Sequence, residues 1–514
     1  MRYSLLLALL VLLSACAHRT FFQPDARLPA AAARPLPPGT DTVLNVTAGR
    51  HYARHGGLYH AFFGRHHRAA WATPVTAAVL DLATAVPGGL RPGKLGGGFN
   101  STSLALTDTA GRAWVLRTVD KDPARAVPRL LRGTFLVNYL RDNVAATHPY
   151  AALVVPPLAQ AVGVPHTTPR LFYAPANAAQ LPGDSLQKLR GQLVLLEEKF
   201  SGQGQRPGLP TGTQDLLDSR AVFRRLYHSA ANRADAPALL RARLLDAWLG
   251  DWDRHAGQWT WADHLLLNEH PERQPFQHRY APVPKDRDMV FYRADDGLVP
   301  WLLTRPFTIR HWATFKPRYT DPLGLMENGE FLDKRLLNGL TRTDFQRTAR
   351  TMQAQLADTV LRAALAHLPA AIARADGPAL LAALQARRAA LPAFADQFYR
   401  NLARRVSIGG TRYADVFEVW PSADSLTVHV RYANDTVPRF KRSFHRAHTR
   451  VVFLEGLDGD DTLVLHQPAT PATRRPRLVF FGGGDADVQQ GPGRVRFRQG
   501  PRRPGRAYDK LPEE

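Results

Sequence analysis

A single cysteine, Cys16, stands near the start of a chain of 514 residues. With one thiol the chain cannot form an internal disulfide, and it cannot hold a metal through a set of cysteine thiolates. The fold must therefore rest on an apolar core, for which the 45% of hydrophobic residues is an ordinary proportion. The length after Cys16 corresponds to two or three domains.

The cysteine ends a segment with the features of an export signal. Met1 and Arg2 form a short basic start, and the apolar run 4–13 is too short to span a bilayer of about 30 Å. The sequence Leu-Ser-Ala-Cys that ends at Cys16 resembles a bacterial lipobox, which implies lipidation of this thiol. An ordinary signal peptide with an incidental cysteine is the alternative. Ala17 follows, and by resemblance to other lipoproteins it implies an outer-membrane lipoprotein on the periplasmic or the surface face.

The net charge is +23 at pH 7, and arginine supplies most of it. In an exported protein this charge favours contact with anionic lipid headgroups or phosphorylated glycans. An arginine-rich composition without any such partner explains the charge equally well. Nucleic acid is not expected as a partner in that compartment.

Changes in composition divide the chain into six segments. These are a signal peptide (1–16), a Pro/Ala-rich tether (17–45), a mixed α/β lobe (46–200), a helical lobe (201–405), a β-rich region with Asp/Gly turns (406–490) and a basic tail (491–514). The tether has few core-forming residues, so we expect it to be extended. The tail is rich in arginine, glycine and proline and is expected to be poorly ordered.

Hydrophobic periodicity predicts the elements within these segments. Strands at 103–106 and 114–119, joined by a turn that ends at Gly111, predict a hairpin. Helical patterns cover 124–147, 236–250, 342–367 and 377–402. Short runs of strand type cover 192–200, 416–419, 426–432 and 451–454.

A glycine triplet, Gly96, Gly97 and Gly98, precedes the predicted hairpin. Glycines allow backbone N–H groups to approach phosphate oxygens closely. Arg117 on the second strand of the hairpin would then point at the ligand that the glycine loop covers. A turn without any ligand is the alternative interpretation of the triplet.

Two acidic loops follow further along the chain. The first comes at the end of an apolar helix, and the second lies in front of an apolar run. Together they carry Asp253, Arg254, His255, Gln258, Asp286 and Asp288. Oxygen donors of this kind suit Mg²⁺, which takes few protein ligands and keeps its other positions for phosphate and water.

The order of Asp253-Arg254-His255, Gln258 and Asp286 resembles the catalytic and metal loops of atypical kinases. These include CotH spore-coat kinases, secretory-pathway protein kinases and phosphatidylinositol kinases. The resemblance covers about residues 90–300. It implies an α+β, atypical protein-kinase-like fold with a mixed N-lobe and a helical C-lobe, here followed by a small all-β region. It also implies ATP and Mg²⁺, or Mn²⁺, as cofactors.

The same resemblance implies a role for each site residue. The catalytic loop is Asp253, Arg254 and His255, the metal ligands are Gln258, Asp286 and Asp288, and the nucleotide contacts are Gly96, Gly97, Gly98 and Arg117. Two residues depart from the family pattern, because Arg117 stands for a lysine and Gln258 for an asparagine. Asp142 is the best match for the helical glutamate that pairs with that lysine.

A second resemblance covers nearly the whole chain after the signal. It rests on eight short motifs, 71–75, 96–98, 119–123, 132–135, 148–152, 155–158, 250–255 and 284–288. They are similar to a soluble region of BamA/TamA-like surface-antigen outer-membrane proteins, which often lies next to a metallophosphoesterase domain. This resemblance implies an outer-membrane protein partner. It also keeps a second hypothesis open, namely a binding or assembly module without catalysis.

The segment 456–464 approximates the nonapeptide of calcium-binding β-rolls, and 482–487 is a fainter copy. Asp458, Asp460 and Asp461 are the carboxylates that would bind Ca²⁺. Two imperfect copies are few for a β-roll, and the sequence favours a structural Asp/Gly turn over a calcium site.

We expect Cys16→Ser to release the protein from the membrane fraction, because a hydroxyl does not accept the lipid. Fractionation of cells, with and without a high-salt wash, measures this. The wash removes protein held only by its basic surface, since salt screens exposed charges. A variant that stays with the membrane after the wash would contradict the lipoprotein prediction.

Overall fold

The computed structural model of the chain describes residues 21–33, 36, 42–96, 102–176, 181, 186–201, 209–229, 231–267, 276–468, 474–493, 495–500 and 502. Cys16, Gly97 and Gly98 lie outside these residues, so the anchor and two of the loop glycines stay predictions. Within the described ranges, no helix is both long enough and apolar enough to cross a membrane.

A seven-stranded mixed sheet forms the N-terminal lobe, in the order β1-β2-β6-β7-β5-β4-β3. Its strands are β1 (Val43–Val46), β2 (Val75–Val79), β3 (Leu90–Gly96), β4 (Ser103–Asp108), β5 (Ala113–Thr118), β6 (Arg170–Tyr173) and β7 (Leu193–Glu198). Neighbouring strands are antiparallel except for β2 and β6. Strands β4 and β5 form the predicted hairpin.

In the described part of this lobe the α-helices are α1 (Pro29–Ala32), α2 (Gly57–Phe63), α3 (Arg68–Ala72), α4 (Phe135–Asn143) and α5 (Val155–Ala161). The helix expected over 124–147 is shorter than predicted. Pro128 and Gly133 interrupt the pattern, and α4 begins only after Thr134, whose hydroxyl accepts a hydrogen bond from the amide of Leu136.

Part of the predicted tether is packed against the N-terminal lobe, which corrects the expectation of an extended segment. Ala26 is fully buried, and the amide of the Gln23 side chain donates to the carbonyl of Thr47 at 2.8 Å. Arg27 forms an isolated bridge with Val46 of β1. Pro/Ala composition therefore did not prevent this segment from contributing to the core.

The middle of the chain is mainly helical. Its helices are α6 (Ser219–His228), α7 (Ala236–Leu249), α8 (Leu298–Leu303), α9 (Pro322–Met326), α10 (Glu330–Leu336), α11 (Arg342–Gln355), α12 (Asp358–Leu365) and α13 (Ala370–Ala403). The helix predicted over 342–367 is divided at Leu356 into α11 and α12. Helix α13 begins seven residues earlier than the predicted start at 377 and runs through Pro378 and Pro392.

A four-stranded sheet in this region was not predicted. It has the order β8-β10-β11-β9, formed by β8 (Thr213–Asp218), β9 (Asn232–Ala234), β10 (Trp259–Leu267) and β11 (Phe276–Pro284). Trp259 and Trp261 on β10 are fully buried. The first acidic loop therefore lies between the end of α7 and β10, and the second directly follows β11.

Helix α7 is buried on almost every side, because it packs against α11, α13 and β11. Asp235 caps its first turn by accepting from the amide of Ala238. Gly250 ends it with φ 75°, a left-handed conformation that favours glycine. The core position of α7 fixes where the first acidic loop begins.

In the C-terminal region the chain passes back and forth between two sheets, and each passage forms one short coil. Strands β12 (Arg405–Gly409), β16 (Val451–Glu455), β18 (Arg477–Phe481) and β20 (Arg496–Arg498) form one sheet. A second contains β13 (Asp415–Pro421), β14 (Ser425–Tyr432), β15 (Phe440–His445), β17 (Thr462–Leu465) and β19 (Val488–Gln490). The molecule thus confirms the predicted fold class, a mixed N-lobe and a helical lobe followed by a β region.

Aspartates stack at equivalent turns of these coils. Asp461 accepts from the backbone amide of Asp415 at 2.8 Å, and Asp487 accepts from that of Asp461 at 3.1 Å. Burial is the main cause that raises the pKa of Asp461 to about 9, and the charges of Asp415 and Asp487 add to it. Asp460 accepts from the amide of Ala486. These carboxylates therefore bridge neighbouring coils, and calcium binding remains a prediction.

We expect Gly456→Ala to lower the free energy of unfolding by about 1–3 kcal/mol, because its Cβ would collide with the buried Asp461 carboxylate. Gly484→Ala is the matched control, since nothing lies within 4 Å of the Cβ it would add. Urea unfolding of the two variants measures the difference. Equal stabilities would show that the aspartate stack does not constrain the coil.

Candidate functional site

A cleft lies between the N-terminal sheet and the loop after β11. Its volume is about 840 Å³, which includes open solvent at its mouth. Strands β5 and β7 form one wall, and the second acidic loop forms another. Its charged lining consists of Arg117, Lys121, Glu197, Asp286, Arg287 and Asp288, with His148 at the side. The strand cation and the second acidic loop, which the sequence analysis assigned to one site, line this common space.

Arg117 on β5 forms ion pairs with two acids of the cleft. Its Nη1 lies 2.9 Å from Asp286 Oδ2, and its Nε lies 3.3 Å from Glu197 Oε1 on β7. The charge of Asp286 is the largest cause that raises the pKa of Arg117. A cation on the hairpin is therefore held directly against an acid from the distant second loop.

Lys121 forms a second ion pair, with Asp288, just beyond the end of β5. Its side chain is 10% exposed, and its backbone amide donates to Asp120 at 2.8 Å. Sequence reasoning missed this lysine as a site residue. The available signal was the charged run Asp120-Lys121-Asp122 directly after the strand that carries Arg117.

The two carboxylates of the second loop differ in their ease of ionisation. Burial favours a higher pKa for Asp286, but Arg117, Lys121 and Arg254 together hold it below its ordinary value. Burial and the neighbouring charge of Asp286 raise the pKa of Asp288. Asp286 also has φ 54°, which is uncommon for a residue other than glycine and is found at functional sites.

Arg254 connects the first acidic loop to the second. It is fully buried, and it donates to Asp251 Oδ2 at 2.6 Å, to the carbonyl of Lys285 at 2.6 Å and to the carbonyl of Asp286. Arg287 donates to the same Asp251 carboxylate at 3.2 Å. The buried guanidinium thus fixes the backbone of the second loop, because it donates to the carbonyls of both Lys285 and Asp286.

The predicted site residues Asp253, His255 and Gln258 of the first loop lie nearer the surface than Arg254. Asp253 is half-buried, and its Oδ1 accepts from the side-chain amide of Asn328 at 3.1 Å. His255 caps the short 3-10 turn Ala256–Gln258 by accepting from the amide of Gly257. The carbonyl of Gln258 accepts from the amide of Lys285 at 2.9 Å. The backbone of Gln258 is thereby joined to the residue that precedes Asp286.

Asp142 does not pair with the strand cation, which corrects that prediction. It is buried against Arg68, which donates to its two oxygens at 2.7 and 2.6 Å, and against His55 at 3.3 Å. These contacts hold the pKa of Asp142 below its ordinary value against the opposing effect of burial. Glu197 takes the place beside Arg117 because β7 pairs directly with β5.

Gly96 lies in the row of the sheet that contains Arg117. It pairs with Ser103 on β4, and Ser103 in turn pairs with Arg117 on β5. Gly96 is therefore in register with Arg117. This is the position expected of a loop that covers the ligand of Arg117.

No family model and no curated protein matches the chain. Among solved structures, that of the Helicobacter pylori proinflammatory kinase CtkA is similar at a TM-score of 0.30 and 12% identity, covering 60% of this chain and 94% of that chain. A likeness at this TM-score carries no argument about fold or function. The BamA/TamA-like resemblance has no support among these similarities.

We expect Arg254→Met to lower the free energy of unfolding by about 3–5 kcal/mol, because it removes the shorter of two donations to the buried Asp251 carboxylate and the donations to two carbonyls. Arg91→Met on the exposed edge strand β3 is the control and should have little effect. Chemical denaturation of both variants gives the comparison. A loss of stability no greater than that of the control would mean that the two loops are held together by other contacts.

Proposed function

We propose that the cleft binds a nucleoside triphosphate with Mg²⁺ or Mn²⁺, and that the protein transfers a phosphoryl group to a periplasmic or surface acceptor. The ion pair between Arg117 and Asp286 is the observation that carries this proposal. It brings a strand cation and an acid of the second loop to one place, where the first could contact a phosphate and the second a metal ion. The anchor at Cys16 would hold this site at the outer membrane.

The residues present fit a hard divalent cation. Asp286, Asp288 and Gln258 offer carboxylate and amide oxygens, the donors that Mg²⁺ prefers. Asp288 is harder to ionise because it is buried beside Asp286. A divalent cation between two such carboxylates would offset their repulsion, and when bound it would also neutralise charge on the phosphates.

Arg117 and Lys121 supply the positive charge that the phosphates require. Each is now paired with an acid of the second loop, at Asp286 and Asp288 respectively. If a cation takes over those carboxylates, the two side chains are released to contact phosphate oxygens. Lys121 also provides an ammonium group beside the arginine that replaces the family lysine.

Asp253 is assigned to the acceptor hydroxyl, which it would orient and deprotonate. Arg254 and His255 are positioning residues, because the first binds the second loop and the second caps the turn that leads to Gln258. Gly96, with Gly97 and Gly98, would cover the phosphates from the hairpin side.

A non-catalytic binding or assembly module, with an outer-membrane protein or an anionic lipid or glycan as partner, is the second candidate. The ion pairs of the cleft also fit this candidate. Asp286 and Asp288 each already have a cationic partner, so the charges of the second loop are balanced without a metal. ATP is also scarce outside the cytoplasm, which weakens the case for turnover there.

The test is titration of ATP into the purified protein with Mg²⁺ or Mn²⁺, with transfer of labelled phosphate followed in parallel. We expect Asp286→Ala to weaken metal-dependent binding at least about tenfold and to abolish turnover. Asp253→Ala should retain binding and lose turnover, because its role is at the acceptor. Asp424→Ala, an exposed aspartate whose side chain is 63% accessible, should behave as the wild type.

Three results would separate the hypotheses. Binding without turnover in the wild type would support the binding module. Loss of thermal stability in Asp286→Ala and Asp253→Ala, without any ligand effect, would assign the acids a structural role. A well-folded wild type that binds no nucleotide with either metal would end the kinase-like proposal.

A further inference from the structure

Two histidines and an aspartate from distant parts of the chain meet beside the cleft. His67 directly precedes α3, His148 follows α4, and Asp376 lies on α13. One possible ligand atom from each lies within 4.8 Å of the other two. None of the three is a proposed ligand of the nucleotide or of its metal, although His148 lines the side of the cleft.

His148 has a buried ring nitrogen that faces the carboxylate of Asp376. Its side chain is 0% exposed, and its Nε2 makes no hydrogen bond within the described part of the chain. Asp376 Oδ2 lies 3.3 Å away, an ion-pair contact that is longer than most hydrogen bonds. Bonds of about 2.0–2.1 Å around a tetrahedral ion place two ligand atoms about 3.3–3.4 Å apart. The separation therefore fits two ligands of one metal ion.

His67 keeps a lone pair on one ring nitrogen. Its Nε2 lies 2.8 Å from the carbonyl of Phe291, so Nε2 carries the proton and Nδ1 keeps its lone pair. Metal-bound histidines commonly donate to a carbonyl in this way, which fixes their tautomer. The rings of His67 and His148 are 5.0 Å apart and nearly perpendicular, at 73°. Two imidazoles thus approach the same carboxylate from different directions.

The local charges are compatible with a divalent ion, and its binding would cost one hydrogen bond. Two neutral imidazoles and one carboxylate leave a bound divalent ion with one excess positive charge, and Arg293 nearby is itself paired with Asp296 at 3.4 Å. A metal on His148 Nε2 requires the proton on Nδ1, which would break the 3.2 Å hydrogen bond from the amide of Tyr150. Asp376, with 32% of its side chain exposed, leaves a route from solvent.

We propose that His67, His148 and Asp376 form a binding site for a divalent transition metal ion of the Zn²⁺ class. Nitrogen and carboxylate donors favour Zn²⁺ and Co²⁺ over Mg²⁺. Three protein ligands leave the fourth position of a tetrahedral ion to water. Because Asp376 belongs to α13 and both histidines to the N-terminal lobe, the ion would also link the two lobes at the side of the cleft.

The test uses the full chain, freed of metal with a chelator and then titrated with Co²⁺, whose visible absorption reports tetrahedral coordination. We expect one Co²⁺ per chain with that absorption, displaced by Zn²⁺, and a higher melting temperature when Zn²⁺ is present. Asp376→Ala and His148→Ala should each weaken binding at least about tenfold. Asp376 is partly exposed, so its variant should fold even if the His148 variant does not.

Two control variants show whether a loss of Co²⁺ binding is specific to this site. His445→Ala removes a histidine that is 55% exposed, and it should bind Co²⁺ as the wild type does. Asp286→Ala should also keep Co²⁺ binding, which separates this site from the proposed magnesium site. A folded wild type without the tetrahedral absorption would overturn the proposal. So would Asp376→Ala binding Co²⁺ as tightly as the wild type.

Discussion

The buried guanidinium of Arg254 is the contact on which the cleft depends. It joins the Asp251 carboxylate of the first acidic loop to the carbonyls of Lys285 and Asp286 in the second. Without this donor, the two loops would bring unpaired polar groups into the interior, at a large cost in free energy. The left-handed backbone of Asp286 persists because its own carbonyl and that of Lys285 are held in this way. The direction in which Asp286 faces Arg117 follows from that arrangement.

Charge balance is the second constraint on the cleft. The acids of the second loop lie against Arg117 and Lys121, and a third acid, Glu197, completes the row on β7. Partly buried charges of this number add little to stability compared with apolar residues of similar volume. Their presence at one edge of the cleft is therefore more consistent with binding a charged ligand than with holding the fold together.

Of the predicted site residues, Arg117, Asp286 and Asp288 line the cleft, whereas Asp253, His255 and Gln258 of the first loop are not among its lining residues. The spacing of the glycine triplet, Arg117 and the second loop predicted one site, because such an order is specific even where each piece is common. Asp142 was wrongly assigned as a partner of Arg117, since helical position alone does not show that Arg68 lies closer. Glu197 was missed because the pairing of β5 with β7 is set by the sheet order, whereas Lys121 was missed although it lies in a charged run directly after β5.

By itself, the sequence determined the division into a mixed lobe, a helical lobe and a β-rich end, because hydrophobic periodicity and turn residues act locally. It also determined that no disulfide could hold them together, since Cys16 is the only thiol. The tertiary structure alone decided which charges meet. His67, His148 and Asp376 carry no common spacing, and they converge only because α3, the segment after α4 and α13 pack around one core. Such long-range contacts depend on the packing of whole elements, which no local pattern of residues specifies.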